Sequence, residues 1–375
     1  MDLALSEVQI MLQNSTREFM EAEMPKSRVL EIDDSETGFS GELWQKLSEQ
    51  GWPGMIIPEQ YGGSGNSLTD MGAVYEILGY YACPSPHLSS AVLSAQTILE
   101  AGSEDQKQAL LPEIARGRQI FALAYTEPDY GWSPGTVQMQ ATKQDLDYYL
   151  NGTKLFVHDA NIADQLVVVA RTGGSGTDGL TLFVVDRSAP GVSVRTQTGW
   201  IGPKVCEVNF ENVRVSPLAV LGQEGGAWPA VEKAMDRATA LLSLYMAGGT
   251  QRVYELARDY SQTRIAFGVP IGTFQRVQDH VIEALTEADA GKWSSYEALW
   301  QLDEGRPEAQ VAVSMAKSVV STGFPQACDA SHHVHGGIGS DLEYGLTQYT
   351  KRARTLQHYL GDAIYHRARM ARLMV

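Results

Sequence analysis

The spacing of hydrophobic residues changes twice along the chain. Up to about residue 118, apolar side chains such as Leu43 and Leu47 recur every three or four positions, the period of an amphipathic helix. Between about residues 119 and 222, short apolar runs alternate with turns rich in Gly, Asp and Pro, a pattern that predicts β-strands. The clearest of these runs are residues 166–170, 180–185 and 205–210.

The helical period returns after the glycine-rich stretch 222–226 and continues to the end of the chain. It places one apolar stripe on the first helix of this region, formed by Val231, Met235, Ala238, Leu242 and Tyr245. Helices, then strands, then helices predict an α+β protein. We expect an N-terminal helical domain at 1–118, a middle β-sheet domain at 119–222 and a C-terminal helical domain at 223–375.

Composition narrows the class of protein. A chain of 375 residues with 43% hydrophobic residues is long enough to bury several cores. Its net charge of -16 argues against a nucleic-acid partner, which requires a basic surface. No apolar run approaches the roughly 20 residues that span a bilayer, and the N-terminus lacks a signal-peptide pattern, so we expect a cytoplasmic protein without membrane insertion.

The basic residues near the C-terminus have two interpretations, whereas the histidine cluster and the cysteines predict no binding site. Basic residues concentrate near the C-terminus, where they form either a solvated helix face or a clamp for a phosphorylated ligand. They are Lys351, Arg352, Arg354, Arg367, Arg369 and Arg372. The histidines at 332, 333 and 335 lack an acidic or cysteine partner at a ligand spacing, so no metal site is predicted. The three cysteines are far apart and predict neither a disulfide nor a zinc site.

Six short strings occur in an order that is similar to the acyl-CoA dehydrogenase family across essentially the whole chain. They are Pro-Glu-Gln-Tyr-Gly-Gly at 58–63, Tyr-Thr-Glu-Pro at 125–128, Asn-Gly-Thr-Lys-Leu-Phe at 151–156, Arg264 with Phe267 and Gln275, His-Gly-Gly-Ile-Gly at 335–339, and Tyr-Leu-Gly-Asp at 359–362. The resemblance implies the fold of that family, with a C-terminal four-helix bundle. It also implies FAD as cofactor, an acyl-CoA substrate, and electron-transfer flavoprotein as electron acceptor.

The resemblance assigns the cofactor-binding residues to two sets. The own-site set, which would contact the flavin of the same chain, is Tyr125, Thr126, Phe156 and His158. The reaching set, which would contact the flavin of a neighbouring subunit, is Arg264, Phe267, Gln275, Gly336 and Gly337. His333, which stands where many relatives have Gln, is a further candidate cofactor contact. Simpler roles remain open for some of them: Thr126 as a turn residue, Phe156 as a core aromatic and His333 as a packed histidine.

The sequence departs from the family where the reaction takes place. Leu360 stands where relatives carry the catalytic Glu, and Ala238 stands at the alternative position of that base. Trp132 replaces a small hydroxyl residue, and Phe156 begins a Phe-Val-His string where relatives have Trp-Ile-Thr. The catalytic residue of this chain is therefore unknown from its sequence.

The own-site set is altered, whereas the reaching set is kept. This asymmetry resembles the heteromeric steroid-type acyl-CoA dehydrogenases, in which one subunit carries the Glu and the other completes the flavin pocket. We therefore expect a partner subunit of an α2β2 assembly, with a homo-oligomer as the alternative. Two other functions stay open: a self-sufficient enzyme with a base relocated to Asp362 or Asp236, or with a desulfinase-like elimination, and a non-catalytic acyl-CoA or protein-binding scaffold.

Overall fold

The computed structural model describes residues 4–129, 131–197 and 204–374. The chain forms two compact units, each of which is assembled from separate stretches of sequence. The helical unit contains the residues up to Glu31, Ser67–Cys83, and the residues from Thr239 onward. The sheet unit contains Ile32–Asn66 and Pro84–Ala238.

The α-helices begin where the sequence supplies caps. Ser6, Ser67 and Ser103 each accept a backbone hydrogen bond from the third helical residue, whose side chain reaches back to the cap. In chain order the helices are α1 (Glu7–Glu23), α2 (Lys26–Asp34), α3 (Gly41–Glu49), α4 (Leu68–Tyr80), α5 (Ala95–Ala101), α6 (Glu104–Ala115), α7 (Trp228–Thr263), α8 (Gln275–Asp303), α9 (Ala309–His335), α10 (Leu346–Leu356) and α11 (Ala363–Leu373).

In the helical unit, small residues and one buried carboxylate hold the helices together. A Cβ atom at Gly79 of α4 would lie 1.8 Å from the carbonyl oxygen of Tyr245 on α7, so only glycine allows this approach. The carboxylate of Glu76 accepts hydrogen bonds from Gln13 and Tyr296, each at 2.7 Å, and pairs with Lys292 at 2.9 Å. These contacts connect α1, α4 and α8 inside one core.

The sheet unit is built on an eight-stranded sheet in the order β6-β7-β3-β2-β4-β5-β8, with β1 parallel to β4. The β4 strand is buried along nearly its whole length, as expected from its run of apolar residues. The strands are β1 (Phe121–Ala124), β2 (Gln140–Gln144), β3 (Asp147–His158), β4 (Gln165–Arg171), β5 (Leu180–Asp186), β6 (Val192–Thr196), β7 (Val205–Val215) and β8 (Val220–Leu221).

Two features of the fold differ from the simple helical pattern expected outside the middle domain. A short hairpin of β9 (Ile265–Ala266) and β10 (Val269–Pro270) separates α7 from α8. Its two-residue turn places both Phe267 and Gly268 at positive φ, of 53° and 84°, as tight β-hairpin turns require. Residues His87–Ser94 form a π-helix, a rare conformation that often accompanies functional sites. No helix among the described residues is long and apolar enough to cross a bilayer.

Candidate functional site

The loop that follows β1 carries Tyr125 and Thr126, and both residues are buried. The Tyr125 ring packs against Trp132, with ring centroids 6.1 Å apart and planes 14° apart, and against Trp228 at 6.1 Å. The carbonyl oxygen of Thr126 accepts a hydrogen bond of 2.8 Å from the backbone N–H of Leu155 on β3. The Tyr125 side chain is therefore part of the interior of the sheet unit, and the Thr126 backbone is fixed to a strand.

A buried ion pair lies behind this loop. Lys154 on β3 is fully buried, and its Nζ donates to Oε1 of Glu127 at 2.7 Å and to the Tyr125 carbonyl oxygen at 3.1 Å. Burial lowers the pKa of Lys154 to about 8, although the Glu127 carboxylate raises it. The Glu127 carboxylate also accepts the backbone N–H groups of Gln138 and Met139, at 2.8 and 3.0 Å.

The end of β3 presents Phe156 and His158 from an irregular backbone. The pairing with β7 shifts register between Lys154 and Val157, and within this bulge Phe156 adopts a φ of 54°. The Phe156 ring is 42% exposed. His158 is half-buried, and burial lowers its pKa to about 3, so its imidazole is neutral at pH 7. The bulge thus turns an aromatic ring outward from the sheet.

The next residue, Asp159, was not singled out in the sequence, although it is the most unusual acid of this region. It is buried, with a φ of 62°, and its carboxyl group accepts a hydrogen bond of 2.5 Å from Ser89 of the π-helix. Burial raises the pKa of Asp159 to about 7. Its only sequence signal was a carboxylate directly after a strand.

Within the helical unit, Arg264, Phe267 and Gln275 lie on one compact segment. Arg264 follows α7, and its carbonyl oxygen accepts a hydrogen bond of 2.9 Å from Ile271, which closes the hairpin. Phe267, at the tip, is 95% exposed and contacts Phe274 edge to face at 6.1 Å. Gln275 is the first residue of α8 and is also exposed.

His333, Gly336 and Gly337 lie at the end of α9, and a pair of stacked imidazoles connects them to α8. The rings of His280 and His333 are 4.9 Å apart and nearly parallel. Gly336 has a φ of 62°, and neither glycine has an atom within 4 Å of where a Cβ would stand. The structure therefore brings the α9 end beside the first turns of α8, which carry Gln275. His280 was missed because histidine alone gives no signal of a stacking partner.

The residue that the sequence analysis expects in place of the catalytic Glu, Leu360, is a buried hydrocarbon. Leu360 is 3% exposed and has a φ of 59°, which is unusual for a non-glycine residue. Its carbonyl oxygen accepts a hydrogen bond of 2.9 Å from Nε2 of His366. Asp362, the nearest candidate for a relocated base, is the N-cap of α11 and accepts the N–H of Tyr365 at 2.9 Å. Asp236 is buried on α7.

A second buried lysine supports the turn that carries Leu360. Lys317 on α9 is fully buried, and its Nζ donates to Oγ of Ser321 at 2.8 Å and to the carbonyl oxygens of Leu356 and Gln357 at 3.0 and 3.1 Å. Burial lowers the pKa of Lys317 to about 7. This ammonium group caps the end of α10 just before the turn.

Three of the six basic residues near the C-terminus are buried or paired with an acid, which weakens the clamp interpretation. Arg352 and Arg369 are buried, and Arg369 donates to Oγ of Ser314 at 3.3 Å. Arg354 pairs with Asp329 at 2.8 Å. The sequence spacing gave no sign of this dispersion, because adjacent arginines point to different sides of a helix.

The candidate residues fit FAD in chemical kind. Phe156 and Phe267 expose aromatic surface that a planar ring can cover, and the open backbone at Gly336 and Gly337 allows close approach of a cofactor. The exposed guanidinium of Arg264 has the geometry that phosphate groups require. Among the residues that the structure describes, no group of three or more His, Cys, Asp or Glu side chains could hold a metal ion.

Known proteins match this chain along nearly its entire length. Models of the acyl-CoA dehydrogenase N-terminal, middle and C-terminal domains match residues 6–118, 122–213 and 225–375. The acryloyl-CoA reductase (NADH) of Anaerotignum propionicum is 30% identical over 379 residues, which span 99% of this chain and 95% of that protein.

Two solved structures extend the comparison to three dimensions. The structure of PigA with FAD and proline has a TM-score of 0.92 and 25% identity, and covers 100% of this chain and 99% of that one. The ChsE4-ChsE5 complex from Mycobacterium tuberculosis has a TM-score of 0.90 and 26% identity, and covers 100% and 99%. The predicted fold, the FAD cofactor and the assignment to a family of flavoprotein enzymes are confirmed. The chain belongs to the acyl-CoA dehydrogenase family.

Proposed function

We propose that this chain is the partner subunit of a heteromeric, FAD-dependent acyl-CoA dehydrogenase. The reaction places a double bond between the α and β carbons of an acyl-CoA thioester of the steroid side-chain type, and electron-transfer flavoprotein accepts the electrons. The observation that carries the proposal is Leu360, a buried hydrocarbon at the position of the catalytic carboxylate. The likeness to the ChsE4-ChsE5 complex, a structure that contains two different subunits, supports a two-subunit assembly.

The chemistry explains why the base decides the function. Dehydrogenation removes a proton from the α carbon and a hydride from the β carbon, and bound FAD accepts the hydride. The proton must go to a positioned base, which contributes about 10²–10⁴-fold to such a step. The Leu360 side chain cannot accept a proton, and the Asp362 carboxylate is engaged as a helix cap. In this proposal the carboxylate of the second subunit receives the proton.

The residues of this chain then have two tasks. Thr126, Phe156 and His158 would line the flavin ring of the chain's own site, where the neutral imidazole of His158 adds no charge. Arg264, Gln275 and His333 would reach the dinucleotide of the neighbouring subunit from their exposed segment, and Gly336 and Gly337 would let that cofactor approach the backbone.

The test compares the chain purified alone with the chain co-expressed with a second, Glu-bearing subunit. Acyl-CoA oxidation is followed with an artificial electron acceptor, and FAD is counted per chain. We expect no turnover by the lone chain and turnover by the complex. Turnover by the lone chain would overturn the proposal. Protein that is colourless both alone and in the complex would instead favour the scaffold function.

Two variants make the test specific to the base. We expect Leu360→Glu to give the chain its own slow turnover, whereas the control Ile364→Glu, at a position 76% exposed, gives none. If the lone wild-type chain is active, Asp362→Asn identifies the relocated base. Asn caps a helix as well as Asp does, so only a catalytic Asp362 predicts a large loss of rate at unchanged stability and FAD content.

A further inference from the structure

Lys154 and Glu127 bury opposite charges where a hydrophobic pair would serve stability equally well. Both side chains are almost inaccessible, with exposures of 0% for Lys154 and 8% for Glu127, and each ion loses several kcal/mol of hydration on burial. Their attraction roughly offsets this loss, so net stability does not explain the pair. What charged, hydrogen-bonded groups supply beyond stability is a fixed geometry.

The geometry that this pair fixes is specific. The Lys154 ammonium binds the Tyr125 carbonyl oxygen and the Glu127 carboxylate, which are the two neighbours of Thr126 in sequence. The carboxylate also binds the N–H groups of Gln138 and Met139, so the loop is held from a second side. On β3, Lys154 lies two residues before Phe156 and four before His158. One ammonium group therefore sets the loop of Thr126 against the strand end that carries Phe156 and His158.

We propose that Lys154 and Glu127 are positioning residues that hold the two flavin-ring segments of this chain's own site in register. The inference rests on the proposed flavin contacts of Thr126, Phe156 and His158. It also refines the expectation that the own-site set is altered, because Phe156 and His158 depart from the family strings while Glu127 and Lys154 belong to strings that are similar to it. The chain retains a preorganised seat for a flavin ring although it lacks the base.

The proposal is tested on the full chain in its assembled complex, with FAD as the probe. Three variants are compared with the wild type: Lys154→Met, the double variant Lys154→Met/Glu127→Gln, and Thr126→Val. Lys143→Met, which removes a half-exposed lysine of β2, is the matched control. The thermal unfolding midpoint, the dissociation constant of FAD and the flavin absorption spectrum are measured for each.

The double variant separates a positioning role from a structural one. Removing both charges should restore an unfolding midpoint near that of the wild type, while the dissociation constant of FAD stays at least tenfold raised and the flavin bands stay shifted, as in Thr126→Val. Recovery of FAD affinity and spectrum together with stability would overturn the proposal. So would an unchanged flavin in both Thr126→Val and the double variant.

These outcomes are independent of the proposed function. Oxidation of an acyl-CoA by the lone wild-type chain would refute the partner-subunit function without affecting the proposed positioning role of Lys154 and Glu127. The opposite result is an inactive lone chain together with unchanged FAD affinity and flavin spectrum in the double variant. It would refute the positioning role and leave the partner-subunit function standing.

Discussion

Each unit of the molecule contains one fully buried lysine, and the two are held in different ways. In the sheet unit, Lys154 faces the carboxylate of Glu127, which compensates its charge. In the helical unit, Lys317 donates to a hydroxyl and two carbonyl oxygens, and the charge of Asp362 partly opposes the effect of burial on its pKa. Accordingly burial lowers the pKa of Lys154 to about 8 and that of Lys317 to about 7. The comparison shows that the first lysine is one half of a hydrogen-bonded ion pair, whereas the second is a helix cap whose hydrogen-bond acceptors are uncharged.

The largest expected effect comes from breaking the ion pair. Lys154→Met leaves the Glu127 carboxylate buried without its cation, and losing one partner of a buried pair costs about 3–5 kcal/mol of unfolding free energy. Chemical denaturation of the full chain measures this. A loss as small as that of an exposed lysine variant would mean that water reaches Glu127 and that the pair is not buried in solution.

A smaller loss of unfolding free energy is expected from replacing Lys317, whose hydrogen-bond acceptors are uncharged. Lys317→Met leaves the carbonyl oxygens of Leu356 and Gln357 without this donor, but it also removes a buried ammonium group whose charge Asp362 compensates only in part. Each unsatisfied polar group costs about 1–3 kcal/mol, and relief of the buried charge offsets part of this, so we expect a net loss of about 2 kcal/mol by the same denaturation assay. A loss equal to that of Lys154→Met would erase the distinction between the two lysines.

The pH dependence distinguishes them further. A lysine with a lowered folded-state pKa contributes stability above its unfolded pKa of 10.5, and this stability is lost as pH falls to the folded pKa. The window ends near pH 8 for Lys154 and near pH 7 for Lys317. Between pH 8 and 7, most of the loss of stability therefore comes from Lys317, which contributes at most about 1.4 kcal/mol.

The variants show which lysine is responsible for the change between pH 8 and 7. We expect Lys317→Met to lose this part of the pH dependence of the unfolding free energy. Lys154→Met/Glu127→Gln should retain it. The reverse pattern would show that the two pKa values are assigned to the wrong residues.

The smallest effect on the unfolding free energy is expected from replacing an exposed cation, which serves as a reference for the two buried lysines. Arg354 and Asp329 form a pair at 2.8 Å, but their side chains are 40% and 54% exposed, so solvent screens the attraction. Arg354→Gln should change the unfolding free energy by less than about 1 kcal/mol. It should also leave coenzyme A binding unchanged in calorimetric titration, because Arg354 is already paired with Asp329. A large loss of coenzyme A affinity would support the clamp interpretation.

The sequence predicted what depends on local pattern. The apolar run at 166–170 became β4 because a strand buried on both faces needs continuous hydrophobic residues. The strings at 125–128 and 151–156 predicted the two segments of the own site, and these segments lie side by side, since the Leu155 N–H donates to the Thr126 carbonyl oxygen. It did not predict that Lys154 and Glu127 meet, since their 27-residue separation is bridged only when β3 packs beside the loop after β1. Nor did it predict the hairpin at 265–270. The flanking residues have a helical period, and the sequence gives no sign that Phe267 next to Gly268 also adopts a positive φ.

The exposure of Phe267, at the tip of that hairpin, bears on how stable the protein is in the cell: this side chain is 95% exposed. Together with the exposed side chains of Ile265 and Phe274, it forms an apolar patch, and contiguous patches of this kind mark interaction sites or aggregation hazards. Chaperones and proteases continuously act on polypeptides that expose such patches. If the proposed neighbouring subunit covers the patch, its supply would limit how much of this protein persists in the cell.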